Sequence, residues 1–148
     1  MKNNTELNKP ISNPMLIGAI QVMKAENTPD HRKMFINELV KSKLLSPAII
    51  TPPPVPGEDG KMRLTKENKI QFPMLTAPDG KRFFMAFTDM PELKKWKTLD
   101  NQQSFVLTFK DYAGMTLKEE DNVSGFVLNP YGENLVISKD MIAALSKA

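Results

Sequence analysis

The chain lacks cysteine altogether and has a single histidine, His31. Without cysteine it can form no disulfide, no thiolate metal site and no cysteine nucleophile. One histidine is too few for a two-histidine zinc site or a non-haem iron triad. His31 follows Asp30 in the first turn of a predicted helix, where we expect an exposed side chain without chemistry. We therefore predict no metal site and no serine-histidine triad.

Glycine is also scarce, and the seven glycines never form a nucleotide-binding pattern. The segments Gly60-Lys61-Met62 and Gly80-Lys81-Arg82 lack the serine or threonine of a P-loop and its upstream glycine, and no GxGxxG is present. With these motifs excluded, no common catalytic arrangement remains. A mechanism that uses carboxylates alone has no particular support in the sequence. We expect a protein that is not an enzyme and that needs no cofactor.

No apolar run is long enough to cross a membrane. The longest, from Met15 to Met23, contains Gln21 and is far below the ~20 residues that a span requires. It leads into Lys24 and Glu26 instead of the small residues of a signal-peptide cleavage site. We interpret it as an amphipathic helix and expect a cytoplasmic protein without a membrane partner.

A strong charge of one sign is missing as well, because the net charge is only +3. The one local excess lies in residues 61–82, with six basic side chains against two acidic ones. Such a modest patch gives at best weak, salt-sensitive binding to nucleic acid. The basic residues of this patch are Lys61, Arg63, Lys66, Lys69, Lys81 and Arg82.

What is present fits one globular domain, as expected for 148 residues. We predict a flexible N-terminus over residues 1–12 and a single domain over residues 13–148. Asn13-Pro14 and Thr28-Pro29 are signals for the start of a helix, and each precedes apolar residues at helical spacing. The domain therefore begins with two helices.

Strand patterns follow the helices. Residues 44–50 form a candidate strand whose Pro47 suggests a sheet edge or a bulge. Residues 70–77 and 82–87 flank a Pro-Asp-Gly turn and predict a hairpin. Strands are also predicted at 104–109, 123–128 and 135–137, with 123–128 buried in the centre of a sheet. Short helices are predicted after Asp89, where Glu92 completes a capping box, at 111–117 and after Ser138.

Two segments resemble a known family. Phe87-Thr88-Asp89 is followed by Leu93 and Trp96, and the apolar strand Gly125–Leu128 is followed by Asn129-Pro130-Tyr131-Gly132. This order is similar to that of the SseB-type domain, named for enhanced serine sensitivity. The resemblance implies a bacterial cytoplasmic protein and a compact α+β domain, with a mixed β-sheet flanked by short helices. It implies no reaction, because no catalytic residues are known for the family.

The leading functional hypothesis is a non-catalytic protein-interaction or regulatory module. Its candidate surface combines the helix that starts at Asp89 with the turn after the apolar strand, although each residue also has an ordinary structural role. The first alternative is a sensor of a small, amino-acid-like ligand, and the second is a weak nucleic-acid binder through residues 61–82. Under the leading hypothesis, the partner is another protein. The sequence carries no signature of an oligomeric state. The candidate surface residues are Asp89, Trp96, Asn129, Tyr131 and Asn134.

Overall fold

A computed structural model describes residues 11–51, 67–96, 102–118 and 122–146. Five helices and seven strands lie within these ranges. The helices are α1 (Pro14–Ala25), α2 (Pro29–Lys41), α3 (Met90–Leu93), α4 (Phe109–Thr116) and α5 (Lys139–Ser146). The strands are β1 (Lys43–Thr51), β2 (Lys69–Gln71), β3 (Met74–Thr76), β4 (Arg82–Ala86), β5 (Gln102–Thr108), β6 (Gly125–Leu128) and β7 (Leu135–Ser138). The predicted α+β domain with two N-terminal helices is confirmed.

The two N-terminal helices begin at the predicted positions, but only one is capped as expected. The Thr28 hydroxyl accepts a hydrogen bond from the His31 backbone N–H at 3.1 Å, which caps α2. Asn13 precedes α1 without capping it. Its amide instead donates to the carbonyls of Lys43 and Thr88, each at 2.8 Å. The side chain thus ties the start of α1 to two distant segments, and the cap prediction for Asn13 is wrong.

The first sheet has the order β2-β1-β5 and is antiparallel throughout. The edge position that Pro47 suggested is wrong, because β1 lies in the centre of this sheet. On one side β1 pairs with β5 along seven residues. On its other side Leu45 bridges Phe87 and Ile49 pairs with Gln71. Since N–H groups alternate in direction along a strand, Pro47 falls between these two partners, where it interrupts neither pairing.

The second sheet has the order β3-β4-β6-β7, with β4 and β6 parallel and the outer pairs antiparallel. The predicted hairpin is therefore correct for β3 and β4, in which Met74 pairs with Phe84. Its first part, β2, joins the other sheet instead. The change of sheet occurs at Phe72-Pro73, where proline interrupts the extended chain. The buried central strand predicted at 123–128 is confirmed as β6.

The two sheets meet at one corner and share a core. Leu45 and Phe87 exchange two backbone hydrogen bonds of 2.8 and 2.9 Å, which link β1 to the residue after β4. The main core lies between the helices and the sheets, and Phe126 is fully buried in it. Tyr112 is buried there too and donates from its hydroxyl to the Met85 carbonyl at 2.8 Å. Burial raises the pKa of this phenol.

Several predictions fall on parts of the chain that the structure does not describe. These are the flexible N-terminus apart from residues 11–12 and the basic residues Lys61, Arg63 and Lys66. Across the four described ranges, no helix is both long and apolar enough to cross a membrane.

Candidate functional site

Two buried polar side chains, Thr88 and Asn129, join the end of β4 to the end of β6. The Asn129 side-chain oxygen accepts from the Thr88 backbone N–H at 3.0 Å, and the Asn129 amide donates to the Thr88 hydroxyl at 3.1 Å. The Thr88 hydroxyl in turn donates to Asp89 at 3.0 Å, and the Asn129 amide donates to Glu133 at 2.9 Å. We call these four residues, Thr88, Asp89, Asn129 and Glu133, the polar junction. Its buried groups are hydrogen-bonded, as groups removed from water must be.

The turn at 129–134 is held by Asn129 itself. Its carbonyl accepts from the N–H groups of Gly132 at 2.9 Å and Asn134 at 2.8 Å. Asn129 and Asn134 have φ values of 49° and 55°, a left-handed conformation that asparagine tolerates better than most residues. The sequence Asn-Pro-Tyr-Gly-Glu-Asn therefore forms a compact turn with Tyr131 at its exposed part.

Asp89 caps α3, as predicted. Its carboxylate accepts from the Glu92 backbone N–H at 3.0 Å while its other oxygen accepts from Thr88. The predicted second half of the capping box is wrong, because the Glu92 carboxylate does not return to Asp89. It points toward the turn and accepts from the Lys95 ammonium at 2.7 Å.

The Glu92 carboxylate lies against Gly132 and connects α3 to the turn. A Cβ at position 132 would stand 2.5 Å from Glu92 Oε1, so only glycine permits this approach without displacing the side chain. Glu92 Oε1 is buried and has no hydrogen-bond partner. The pKa of Lys95 is raised by its hydrogen bond to Glu92, and the nearby negative charges of Glu133 and Asp89 add to this. The ammonium is therefore held in its charged form beside three carboxylates.

The polar junction keeps its hydroxyl group away from solvent. Thr88 is fully buried, and its hydroxyl donates a hydrogen bond to the Asp89 carboxylate. No three histidine, aspartate or glutamate side chains in the described segments are grouped as a metal site would require. The junction instead fixes the start of α3 and the 129–134 turn in one arrangement.

The predicted site residues occupy two environments. Asp89 and Asn129 are brought together through Thr88, and Asn134 closes the turn with its backbone. Tyr131 is 48% exposed. Trp96, in contrast, is half-buried and packs on a small apolar cluster that includes Leu93. Its role in that cluster is the ordinary structural one expected of a tryptophan next to a short helix.

Sequence reasoning missed several participants. Neither Thr88 nor Glu133 was predicted to bond with Asn129; Thr88 lies 41 residues away in the chain, and Glu133 lies four residues away within the turn. The pairing of Lys95 with Glu92 had a usable signal, since residues three apart on a helical turn are neighbours. The contribution of Asn13 had no such signal in the sequence. Asn13-Pro14 has the pattern of a helix start, and this pattern gives no indication of the bond from Asn13 to the Thr88 carbonyl.

Comparison with models of protein families identifies the family of the chain. Residues 16–144 match the family model of the SseB protein N-terminal domain. The chain belongs to this family. The matched span contains the polar junction, the 129–134 turn and all seven strands. Searches of the curated proteins and of the solved structures found no match.

We expect Asp89→Ala to lower the stability of this SseB-family domain by about 0.5–2 kcal/mol, the usual cost of losing an N-cap. The alanine leaves the Glu92 N–H and the Thr88 hydroxyl without their present acceptor. Urea denaturation followed by circular dichroism measures the difference in unfolding free energy.

Asp89→Asn is the matched control for this prediction. Asparagine caps nearly as well as aspartate, and the Thr88 hydroxyl can turn to the Asn129 oxygen, 3.4 Å away. Its cost should therefore be clearly smaller than that of the alanine. Equal losses for both variants would show that the negative charge, and not the cap, is what Asp89 supplies.

Proposed function

We propose that this SseB-family domain is a non-catalytic protein-interaction module, and that its contact surface is formed by α3, Lys95 and the 129–134 turn. The observation that carries the proposal is the polar junction. In the polar junction, buried polar side chains hold two surface segments together. An apolar contact could fill the same space, and it would contain no polar groups that need hydrogen-bond partners. Such fixed geometry is useful where a surface must be recognised.

The exposed part of this surface has the composition of a protein contact. Tyr131 presents a large aromatic ring on a turn whose first residue, Asn129, is hydrogen-bonded to its last, Asn134. Tyrosine is enriched among residues that dominate binding energy, since it buries a large area and loses little side-chain freedom. The Glu92–Lys95 pair beside it adds charges of both signs, which favour specificity over non-specific adhesion.

The alternatives receive less support at this surface. An amino-acid-like ligand would need backbone N–H groups for its carboxylate, but the Glu92 N–H at the start of α3 is already taken by Asp89. Asp89, Glu92 and Glu133 also surround the position with negative charge, which repels a carboxylate. The nucleic-acid alternative concerns residues 61–82, outside this surface. A protein partner can meet these charges with its own basic side chains.

The test is quantitative affinity capture from a native lysate with three immobilised proteins. These are the unchanged domain, Tyr131→Ala and the control Met34→Ala, which truncates an equally exposed residue (46%) of α2. We expect a partner that is retained by the unchanged domain and by Met34→Ala, and is reduced at least about tenfold by Tyr131→Ala. Thermal melts of all three proteins check that folding is unaffected.

Two outcomes would contradict the proposal. One is that every retained protein binds Tyr131→Ala as well as it binds the unchanged domain. The other is that the two variants lose the same partners, since binding would then depend on exposed apolar area in general and not on this surface.

A further inference from the structure

Strand β7 forms one edge of the second sheet and pairs with β6 alone among the strands of the described segments. Just after β7, the Lys139 N–H donates to the Ser124 carbonyl at 2.8 Å and therefore points toward β6. Backbone groups alternate in direction along a strand, so those of Ile137 point toward β6 as well. The N–H and the carbonyl of Val136 then point out of the sheet, in position to pair with a further strand.

This edge lacks the features that usually stop strands of different molecules from pairing. Natural edge strands are blocked by charged side chains, by proline or by a bulge. The opposite edge of the sheet, β3, lies between Pro73 and Pro78. Strand β7 has the sequence Leu-Val-Ile-Ser, with neither a charge nor a proline, and pairs with β6 in unbroken register. Because the Val136 side chain is also 53% exposed, the outer edge of β7 is an apolar template for another strand.

The charges on either side of β7 fit a second copy of the same strand. Glu133 precedes the strand and Lys139 follows it, and neither forms an ion pair with another residue of the described segments. When two copies run antiparallel with Val136 facing Val136, Glu133 of each copy lies level with Lys139 of the other. Two pairs of opposite charge result, which favours this register. A shift by two residues would place Glu133 level with Met141 and lose both pairs.

We propose that two copies of this chain pair through β7, antiparallel and around a two-fold axis at Val136. The Val136 N–H of each copy donates to the Val136 carbonyl of the other, which joins the two sheets into one continuous sheet. Two four-residue strands bury little area, so the dimer is weak, with a dissociation constant of about 0.1–1 mM. In dilute solution the chain is therefore monomeric and Val136 is exposed. The partner surface proposed above is independent of this pairing, because its test changes Tyr131 and leaves β7 unaltered.

Sedimentation equilibrium at low salt, from about 10 µM to 1 mM protein, measures the pairing. Val136→Lys blocks the edge with a charge on each side of the axis, whereas Val22→Lys makes the same change at an exposed position of α1. We expect the unchanged chain and Val22→Lys to dimerise alike, and Val136→Lys to dimerise at least about tenfold more weakly. A chain that stays monomeric over this range, or equal dimerisation of Val136→Lys, would overturn the proposal.

The register is tested by the variants Lys139→Glu and Glu133→Lys. Each variant alone brings like charges level with one another, but a mixture of the two restores opposite charges at both positions. We expect each variant to dimerise more weakly than the unchanged chain, and the mixture to pair more tightly than either variant alone. Lys110→Glu alters the net charge as Lys139→Glu does, but on the exposed side of α4, and should leave dimerisation nearly unchanged. A mixture that pairs no better than its components would show that the two-fold register is wrong.

Amide hydrogen exchange locates the contact on the chain. The Val136 N–H should exchange more slowly as the protein concentration rises, because the second copy accepts its hydrogen bond. Exchange of the Ile137 N–H, which points toward β6 within one copy, should not depend on concentration. If the Val136 N–H exchanged at the same rate in monomer and dimer, the copies would be held together by another surface and the proposal would fail.

Discussion

Replacing Gly125 by alanine is expected to destabilise the domain by at least about 3 kcal/mol, because backbone strain costs about 1–3 kcal/mol and a steric overlap is added to it. Gly125 has a φ of 141°, which side chains with a Cβ rarely adopt. An added Cβ would stand only 2.1 Å from the Ile137 carbonyl oxygen of the neighbouring strand β7. The backbone of β7 cannot move aside without breaking its register with β6. Urea denaturation of Gly125→Ala gives the loss directly.

Gly80→Ala separates the two contributions. Gly80 also has a positive φ, 88°, but a Cβ there would meet nothing within 4 Å. This variant should therefore show the strain alone, about 1–3 kcal/mol. If Gly125→Ala lost no more stability than Gly80→Ala, the close approach of Gly125 to Ile137 would not be a constraint on the fold.

Features that depend on short-range contacts could be predicted from the sequence. Thr28, Asp89 and Ser138 each accept a hydrogen bond from a backbone N–H three residues ahead, as their positions predicted. These caps need no knowledge of the tertiary structure, because donor and acceptor lie in the same helical turn. The buried strand β6 was equally readable, since a continuous apolar run indicates a strand covered on both faces.

Features that depend on distant partners could not be predicted. The Asn13 side chain is 75 residues from the Thr88 carbonyl that it binds, so nothing local distinguished it from a cap. Pro47 was assigned to a sheet edge or a bulge because a proline cannot donate, but β1 is a central strand whose partners leave a gap beside that one residue. The same limit applied to the first half of the hairpin's first predicted strand, because that half is β2, which joins the other sheet, while the second half, β3, pairs with β4.

For the candidate site, the sequence predicted which segments take part but not the hydrogen bonds that join them. Asp89 and Asn129 were expected to lie near each other because their segments carry the family resemblance. That Thr88 links them follows only from the parallel pairing of β4 with β6, whereas the bond of the Asn129 amide to Glu133 is made within the turn. This pairing places the ends of both strands side by side, and Asn129 also donates its backbone N–H to Ala86 at 2.8 Å.

Strand β6 therefore positions the site as well as the core, and Phe126 is its largest fully buried side chain. We expect Phe126→Ala to cost about 3–5 kcal/mol of unfolding free energy, from lost burial and from the cavity that remains. The ring is fully buried, stacks on Tyr112 with centroids 4.7 Å apart, and meets Phe109 edge-on at 6.2 Å. Because both neighbours belong to α4, the loss also loosens the packing of this helix on the sheet.

Val136→Ala is the control, because Val136 lies on the adjacent strand β7 and is 53% exposed. It should lose less than about 1 kcal/mol, the span of strand propensities, since no cavity forms at an exposed position. Urea denaturation of both variants measures the difference in unfolding free energy, provided that this free energy falls with urea concentration at the same slope in both. A loss for Phe126→Ala no larger than that for Val136→Ala would mean that β6 does not lie in the core. The parallel β4–β6 pairing that brings Thr88 to Asn129 would then be wrong as well, because a strand outside the core could not hold these two buried side chains in contact.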